Sequence, residues 1–163
     1  MRWLTPARIL WALTVVVLAA TIALGATRGR DWWEARQVEQ AQDAALAAGK
    51  QLAVNFATID YRKVDEDTSR VKDGATGEFL SSYTSQLEEL KKVIVDNKSV
   101  SKVERAEAGL VTGDRDSATV IVGIVAPTTN TVVPKGETKT YRTKLGLRLV
   151  GDEWKVERLE FVG

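Results

Sequence analysis

Residues 117–126, SATVIVGIVA, are nearly all apolar and rich in β-branched side chains. A run of this kind is typical of a central strand that is covered on both faces of a sheet. After Ser99 the apolar residues repeat at about every second position, whereas before it they repeat at every third or fourth. The sequence therefore predicts an α+β domain, with helices first and an antiparallel sheet second.

Three further strands are expected around this central strand, over residues 100–110, 139–150 and 153–162. The odd-numbered positions of residues 139–150 are largely apolar from 141 onward, and the basic residues lie at even positions, which predicts a sheet with one wet face. Gly151-Asp152 is a two-residue hairpin signal. Together these patterns predict a four-stranded antiparallel sheet.

Two irregular features are expected in this sheet. In residues 153–162 the apolar residues change parity near Glu157-Arg158, and a β-bulge there would reconcile the two halves. Residues 127–136, PTTNTVVPKG, are polar and contain both prolines of this half of the chain, so they predict an exposed hairpin connection.

About three helices are expected to pack on the sheet. The first covers residues 37–59, the second residues 64–71, and the third begins after Thr76 and ends at Asn97-Lys98. The apolar stripe of the first helix has small residues in its first half, which would allow close packing on a neighbour or a stalk: Val38, Ala41, Ala45, Ala48, Leu52, Phe56 and Ile59.

A curved sheet wrapped around helices forms a cone whose apolar mouth is either filled by side chains or open as a pocket. Six residues are the expected lining of such a pocket: Phe56, Ile59, Phe79, Tyr83, Val120 and Val122. The hairpin-strand residue Trp154 is expected in the core.

Residues 9–26, ILWALTVVVLAATIALGA, carry no charge. As a helix, the uncharged stretch between Arg8 and Arg28 would be roughly 28 Å long, about the thickness of a bilayer's hydrocarbon core. Tryptophans at both ends are typical of residues at the membrane interface, and the expected interface set is Trp3, Trp11, Trp32 and Trp33. The alternative is a cleaved secretory signal, although its apolar core would exceed the usual length.

The expected organisation is a cytoplasmic tail over residues 1–8, a transmembrane helix over 9–27, a juxtamembrane linker over 28–36 and an exported domain over 37–163. Basic residues flank both ends of the span, so the charge rule gives no clear orientation. A short tail before a long C-terminal domain favours a signal-anchor with a cytoplasmic N-terminus.

Composition excludes several classes of function. The 163 residues contain no cysteine and no histidine, which excludes Ser-His-Asp and Cys-His catalysis and removes the commonest metal ligand. Residues 31–163 hold all 22 acidic residues but 19 of the 23 basic ones, so this part carries a net charge of −3. That balance argues against a nucleic-acid partner. No metal site and no cofactor are expected.

Two clusters of charge remain as candidates. The acidic residues Asp60, Asp65, Glu66 and Asp67 lie near Tyr61, and an acid beside a tyrosine is one arrangement used by isomerases. Helix caps and solvated first turns are the favoured interpretation of these acids. The basic strand face of Arg142, Lys144 and Arg148 could contact an acidic partner or lipid head groups, although a solvated sheet face paired with Glu157 and Glu160 is favoured.

The order of parts resembles a known family. A short basic tail is followed by one span, an alanine-rich helix, TGEFLSSYTSQLEEL, SATVIVGIVA and a closing GDEWKVERLEFV. This order is similar to the Mce-associated membrane proteins of actinobacteria, whose exported domain resembles the nuclear transport factor two-like, SnoaL-like or ketosteroid isomerase-like cone fold. No single motif in the chain is diagnostic of that family.

The resemblance implies a non-catalytic, single-pass accessory or scaffold subunit of an Mce-type transporter of lipids or sterols in the cell envelope. Its partners would be membrane lipids and transporter subunits, either the permease or the Mce proteins. Two alternatives stay open: an exported lipid-binding domain with an apolar pocket, and, less favoured, an enzyme of the isomerase or cyclase type.

Overall fold

The computed structural model describes the backbone of residues 6–162; within the first helix it describes side chains at residues 11, 14–18 and 21, and from 32 onward. The chain divides into two compact units between Glu39 and Gln40. The helix α1, Pro6–Ala57, contributes residues to both units. Residues 28–36, expected as a linker, are helical and belong to α1.

The second unit contains the remaining elements in the order helices first, strands second. Three helices and six strands follow α1 among the described residues: β1 (Ile59–Asp60), α2 (Val64–Asp73), α3 (Gly77–Ser85), α4 (Leu87–Asp96), β2 (Val100–Ser101), β3 (Arg105–Gly113), β4 (Ser117–Thr129), β5 (Glu137–Val150) and β6 (Glu153–Phe161). The predicted α+β class and the antiparallel sheet are therefore confirmed.

The strand β4 is the centre of the sheet. It pairs with β5 along one edge, and along the other edge with β3 and then with β2, all antiparallel. The full order is β1-β2-β4-β5-β6, with β3 beside β4. Even-numbered residues of β4 from Ala118 to Thr128 are buried, as are Thr143, Leu145 and Leu147 of β5. These side chains form the inner face of the curled sheet.

The helix α1 packs on this inner face through small residues. Ala45, Gly49 and Ala53 are buried, and a Cβ atom built on Gly49 would lie 3.4 Å from a methyl group of Leu147. Leu52, also buried, joins these residues to β4, β5 and Val156 of β6 in one core cluster. Of the small residues in the predicted stripe, Ala45 is buried against the sheet and Ala48 is partly buried beside it, whereas Gly49 and Ala53 make close contacts that the stripe did not predict.

Three boundaries differ from the prediction. The predicted third helix is two helices that meet at Gln86, and both carry the same apolar repeat, so its period does not reveal the break. The predicted first strand is two strands, β2 and β3, and the short strand β1 was not predicted, so the described sheet has six strands rather than four. Ile59 lies in β1 rather than in a helix, because α1 ends at Ala57.

Two local predictions concern the hairpins. The bulge is confirmed, since Gly146 pairs with Arg158 and Leu147 with Val156, leaving Glu157 as the extra residue. The predicted loop over 127–136 was too long, because β4 continues to Thr129 and Pro127 pairs with Thr138. A proline carbonyl still accepts a hydrogen bond, here from the backbone N–H of Lys102 at 3.3 Å.

Candidate ligand cavity

A cavity of about 290 Å³ lies between the helices and the inner face of the sheet, within residues 40–162. Its wall is mostly apolar, with polar side chains on one side. The lining residues are Ala53, Phe56, Ala57, Ile59, Tyr83, Leu90, Ile94, Ser99, Ser101, Ile124, Thr128, Asn130, Lys139, Tyr141, Thr143, Leu159 and Phe161. The volume is near the lower end of the range found for small-molecule sites.

Aromatic rings form one wall of the cavity. The ring centre of Phe56 lies 6.2 Å from that of Tyr83 and 6.1 Å from that of Phe161. Phe161 in turn lies 6.3 Å from Tyr141. These tilted contacts join the end of α1 to α3, β5 and β6, and such pairs contribute about 0.5–1.5 kcal/mol each beyond the area they bury. The wall is therefore held from four elements.

The polar side of the cavity is built where β2, β4 and β5 meet. The hydroxyls of Ser101 and Thr128 lie 3.1 Å apart. Lys139 contributes its ammonium, which is 3.0 Å from the carboxylate of Glu137. The Glu137 carboxylate raises the pKa of Lys139, so this lysine is charged at neutral pH. This side of the cavity therefore combines hydroxyl groups with one positive charge.

Tyr83, in the aromatic wall, has a pKa above the ordinary value of a tyrosine. Burial and, to a smaller extent, the nearby negative charge of Asp67 together raise its pKa to about 12. The phenol is therefore neutral at physiological pH and suits an apolar wall better than it suits a proton acceptor.

The six residues predicted to line a pocket lie in two places. Phe56, Ile59 and Tyr83 line the cavity. Phe79 packs beside them, with its ring centre 5.8 Å from that of Tyr83. Val120 and Val122 are fully buried in the core, and it is Ile124 of the same strand face that reaches the cavity. Strand parity identified the correct face of β4 but not the position along it.

Several lining residues were not singled out from the sequence. Leu159 and Phe161 come from the last strand, and their parity after the bulge is the signal that places them on the inner face. Ser99 and Ser101 had no such signal, because short polar residues near a strand end match exposed turns equally well. Lys139 had none either, because a lysine at the start of a strand is usually exposed.

The acidic cluster forms structural contacts. Asp67 is buried with 4% of its surface exposed, and its carboxylate accepts hydrogen bonds from the backbone N–H of Asp60 and from Arg70. Asp60 pairs with Arg62, and the hydrogen bonds from Arg62 lower the pKa of Asp60 to about 2. Asp65 pairs with Lys91, and Glu66 with Arg70. None of these four carboxylates belongs to the described cavity lining.

The basic strand face lies on the outer side of β5. Arg148 is 3.4 Å from Glu157, as the sequence pairing suggested, and Lys144 lies opposite Glu160 in the register of β5 and β6. Trp154 is partly buried and packs against the core. Over the described part of the chain, no group of three or more acidic residues is placed to hold a metal ion.

The tryptophans predicted at a membrane interface fall in the first unit. Trp11, Trp32 and Trp33 are exposed, and Trp3 lies outside the described residues. Arg36 stacks on the ring of Trp32 at 5.1 Å. Among the described residues, no helix has the length and apolar character needed to span a membrane.

The fold is shared with several solved structures. An IcmL-like type IV secretion system protein from Legionella pneumophila has a TM-score of 0.58 at 16% identity, over 72% of this chain and 88% of that one. The periplasmic domain of DotI also has a TM-score of 0.58, at 12% identity, over 74% of this chain and 94% of that one. An Ntf2 like protein involved in plasmid conjugation has a TM-score of 0.50 at 11% identity, over 73% of this chain and 48% of that one.

Helices on the inner face of a curled antiparallel sheet, with a cavity between them, are therefore an arrangement that this chain shares with these structures, and the fold is Ntf2-like. Over residues 6–163 the chain belongs to the family described as "Uncharacterized protein Rv1363c/MT1408-like". The protein Rv1363c of Mycobacterium tuberculosis is 29% identical over 157 residues, which cover 92% of this chain. The match spans 60% of the length of that relative.

Proposed function

We propose that this chain is a non-catalytic, single-pass membrane protein that acts as an accessory or scaffold subunit beside an Mce-type transporter of lipids or sterols. The observation that carries the proposal is the fold of residues 40–162, which is also the fold of a periplasmic domain, that of DotI. The order of sequence parts resembles the Mce-associated proteins, and family membership with a mycobacterial relative supports it.

The membrane anchor in this proposal rests on the sequence. Residues 9–26 are uncharged and lie between arginines, and tryptophans stand at both ends of the segment. An anchor there puts residues 40–162 outside the cytoplasm and the N-terminus inside it.

The cavity chemistry supports a non-catalytic role. Isomerases of this fold type use a carboxylate base together with a hydroxyl donor in an apolar pocket. The described lining of this cavity holds hydroxyls, one amide and one lysine, but no carboxylate. The nearby acids Asp60 and Asp67 are occupied with Arg62 and Arg70.

Topology is tested with single cysteines, because the native chain contains none. Val132→Cys replaces a residue that is 78% exposed, and Arg2→Cys marks the N-terminal tail. A membrane-impermeant maleimide should label Val132→Cys in intact cells. The same reagent should label Arg2→Cys only after the cells are lysed. If Val132→Cys were labelled only after lysis, the proposed orientation would be wrong. Loss of the residue-2 label from the mature protein would indicate a cleaved signal.

Partnership is tested by purifying the tagged full chain in mild detergent from a mycobacterial host and identifying the proteins recovered with it. Permease or Mce subunits should be enriched over an unrelated tagged single-pass protein that is purified in parallel. Recovery without transporter subunits, under conditions that keep the transporter itself intact, would contradict the accessory role.

A second candidate function is favoured by the cavity itself. A volume of about 290 Å³ with an aromatic wall suits an exported lipid-binding domain. Native mass spectrometry of the detergent-purified full chain should then show a bound small amphiphile. Ala57→Phe, which places a ring in the cavity, should release it. A wild-type chain that is always recovered empty would exclude this function.

A further inference from the structure

We propose that the cavity binds an anionic amphiphile with one acyl chain, such as a fatty acid, whose carboxylate lies against Lys139. This inference rests on the second candidate function, lipid binding, and specifies the class of its ligand. Three properties of the lining carry it: the separation of its charged residue from its apolar interior, the sign of the charge and the size of the cavity.

The charged residue of the described lining lies apart from its apolar interior. Lys139, Tyr141 and Thr143 follow each other on one face of β5 and all line the cavity. The exposed fraction falls along this row, from 41% for the Lys139 side chain to 2% for Thr143. Lys139 therefore marks a solvent-accessible end, and the interior beyond it is lined by Ile124 and Leu159. A ligand with a polar head and an apolar tail matches this arrangement.

The charge at the polar end selects an anionic head group. Among the described lining residues, Lys139 is the one charged side chain. Its partner Glu137 is itself 45% exposed, and such exposed pairs contribute little. An ammonium group has three donors, so a ligand carboxylate can bind Lys139 beside Glu137 or displace it. The Asn130 side chain lines the same end; its oxygen accepts hydrogen bonds from the backbone N–H groups of Val132 and Val133, and its NH₂ group can donate one to the ligand.

The size of the cavity favours a single chain. A volume of about 290 Å³ lies near the lower end of the range found for small-molecule sites. A small cavity of this kind favours a ligand with one chain over a phospholipid with two. The open end at Lys139 leaves room for the head group in water.

The test uses the full chain in phosphatidylcholine nanodiscs with two photoactivatable probes. One is a medium-chain fatty acid with a diazirine near its methyl end, and the other is the alcohol of the same chain. After irradiation, mass spectrometry locates the labelled peptides. The acid should label peptides of the cavity wall that contain Phe56 or Ile124.

Four variants assign the head-group contact. Lys139→Gln should lower cavity labelling by the acid about five- to tenfold, because a charge-assisted contact is lost, and should leave labelling by the alcohol unchanged. Glu137→Gln should raise labelling by the acid, since it removes the competing carboxylate. Lys144→Gln changes an exposed lysine on the opposite face of the same strand and should change nothing. Ala57→Phe should abolish labelling by both probes.

Two results would overturn the inference in different ways. Equal labelling by the acid in the wild type and in Lys139→Gln would exclude the anionic head group while leaving lipid binding intact. Cavity peptides that are labelled by neither probe, or labelled equally in Ala57→Phe, would exclude the lipid-binding function itself. The three variants at exposed sites, Lys139→Gln, Glu137→Gln and Lys144→Gln, should have the same unfolding midpoint as the wild type within error. A change in labelling then reports binding and not a loss of folding.

Discussion

The carboxylate of Asp67 accepts a hydrogen bond from the backbone N–H of Asp60 at 2.7 Å. Asp67 lies in α2 and is buried, whereas Asp60 ends the two-residue strand β1, next to Ile59 of the cavity lining. The second oxygen of Asp67 pairs with Arg70. One side chain therefore fixes the start of the sheet to a helix and sets the position of one cavity wall.

Asp67→Asn should lower the free energy of unfolding by about 1–3 kcal/mol, because the pair with Arg70 loses its charge while the site stays buried. The same change should lower the pKa of Tyr83, since the charge of Asp67 is one of the two causes that raise it. Chemical denaturation and a tyrosine absorbance titration measure these effects. Asp65→Asn, at a side chain that is 84% exposed, is the matched control and should stay within about 0.5 kcal/mol of the wild type.

Tyr83 should make stability fall at alkaline pH. Its phenol ionises at about 12 in the folded chain, against an ordinary value of 10. Between these values the unfolded chain holds fewer protons, so the free energy of unfolding decreases as pH rises above 10 and levels off above 12. Tyr83→Phe should remove this contribution in denaturation curves recorded across that range. Tyr61→Phe serves as the control, and an identical alkaline loss in both variants would contradict the assignment.

Leu145→Ala should be strongly destabilising. Leu145 is fully buried at the centre of β5 and belongs to the core cluster that joins the sheet to α1. Loss of its side chain should cost about 2–5 kcal/mol in free energy of unfolding, measured by urea denaturation. Val132→Ala, at a residue 78% exposed, should change stability by less than about 0.5 kcal/mol. Equal effects would mean that the face of β5 has been assigned incorrectly.

Gly77→Ala and Gly151→Ala should differ, although both glycines have positive φ angles of 53° and 62°. A Cβ atom on Gly77 would lie 2.8 Å from Cγ of Glu157. A Cβ atom on Gly151 would have no described neighbouring atom within 4 Å. Gly151→Ala should therefore cost about 1–2 kcal/mol from backbone strain alone. Gly77→Ala should lower the stability more than Gly151→Ala does, as measured by thermal denaturation. The double variant Gly77→Ala with Glu157→Ala should lose this additional destabilisation, because the clashing Cγ is removed.

Patterns with a strict period were informative about this fold. The alternation in β5 identified the buried face, and the parity change in β6 located the bulge at Glu157. The break at Gln86 carried no such signal, because the apolar residues of α3 and α4 follow one continuous helical repeat across it. The split between β2 and β3 was also missed, since both short segments pair with the same strand, β4.

The cavity was partly predictable for a related reason. Aromatic residues at the end of α1 and in α3 could be assigned to one apolar surface from their spacing, and Phe56 and Tyr83 do meet, with ring centres 6.2 Å apart. Whether a residue on the inner face of a strand is covered or borders a cavity depends on the helices that pack over that position, and strand periodicity does not reveal this. Val120 and Val122 lie in the filled core, and Ile124 lines the open part of the same face.

The central position of β4 has a consequence for synthesis of the chain. As the chain emerges in order from its N-terminus, β3 is already present when β4 appears, but the edge that β5 will cover is still unpaired. A long apolar edge of this kind is a site of aggregation. The connection over residues 130–136 is short, so translation delivers the covering strand within a few seconds. A slow codon cluster or a long insertion at that point would lengthen the exposure and should lower the yield of native protein.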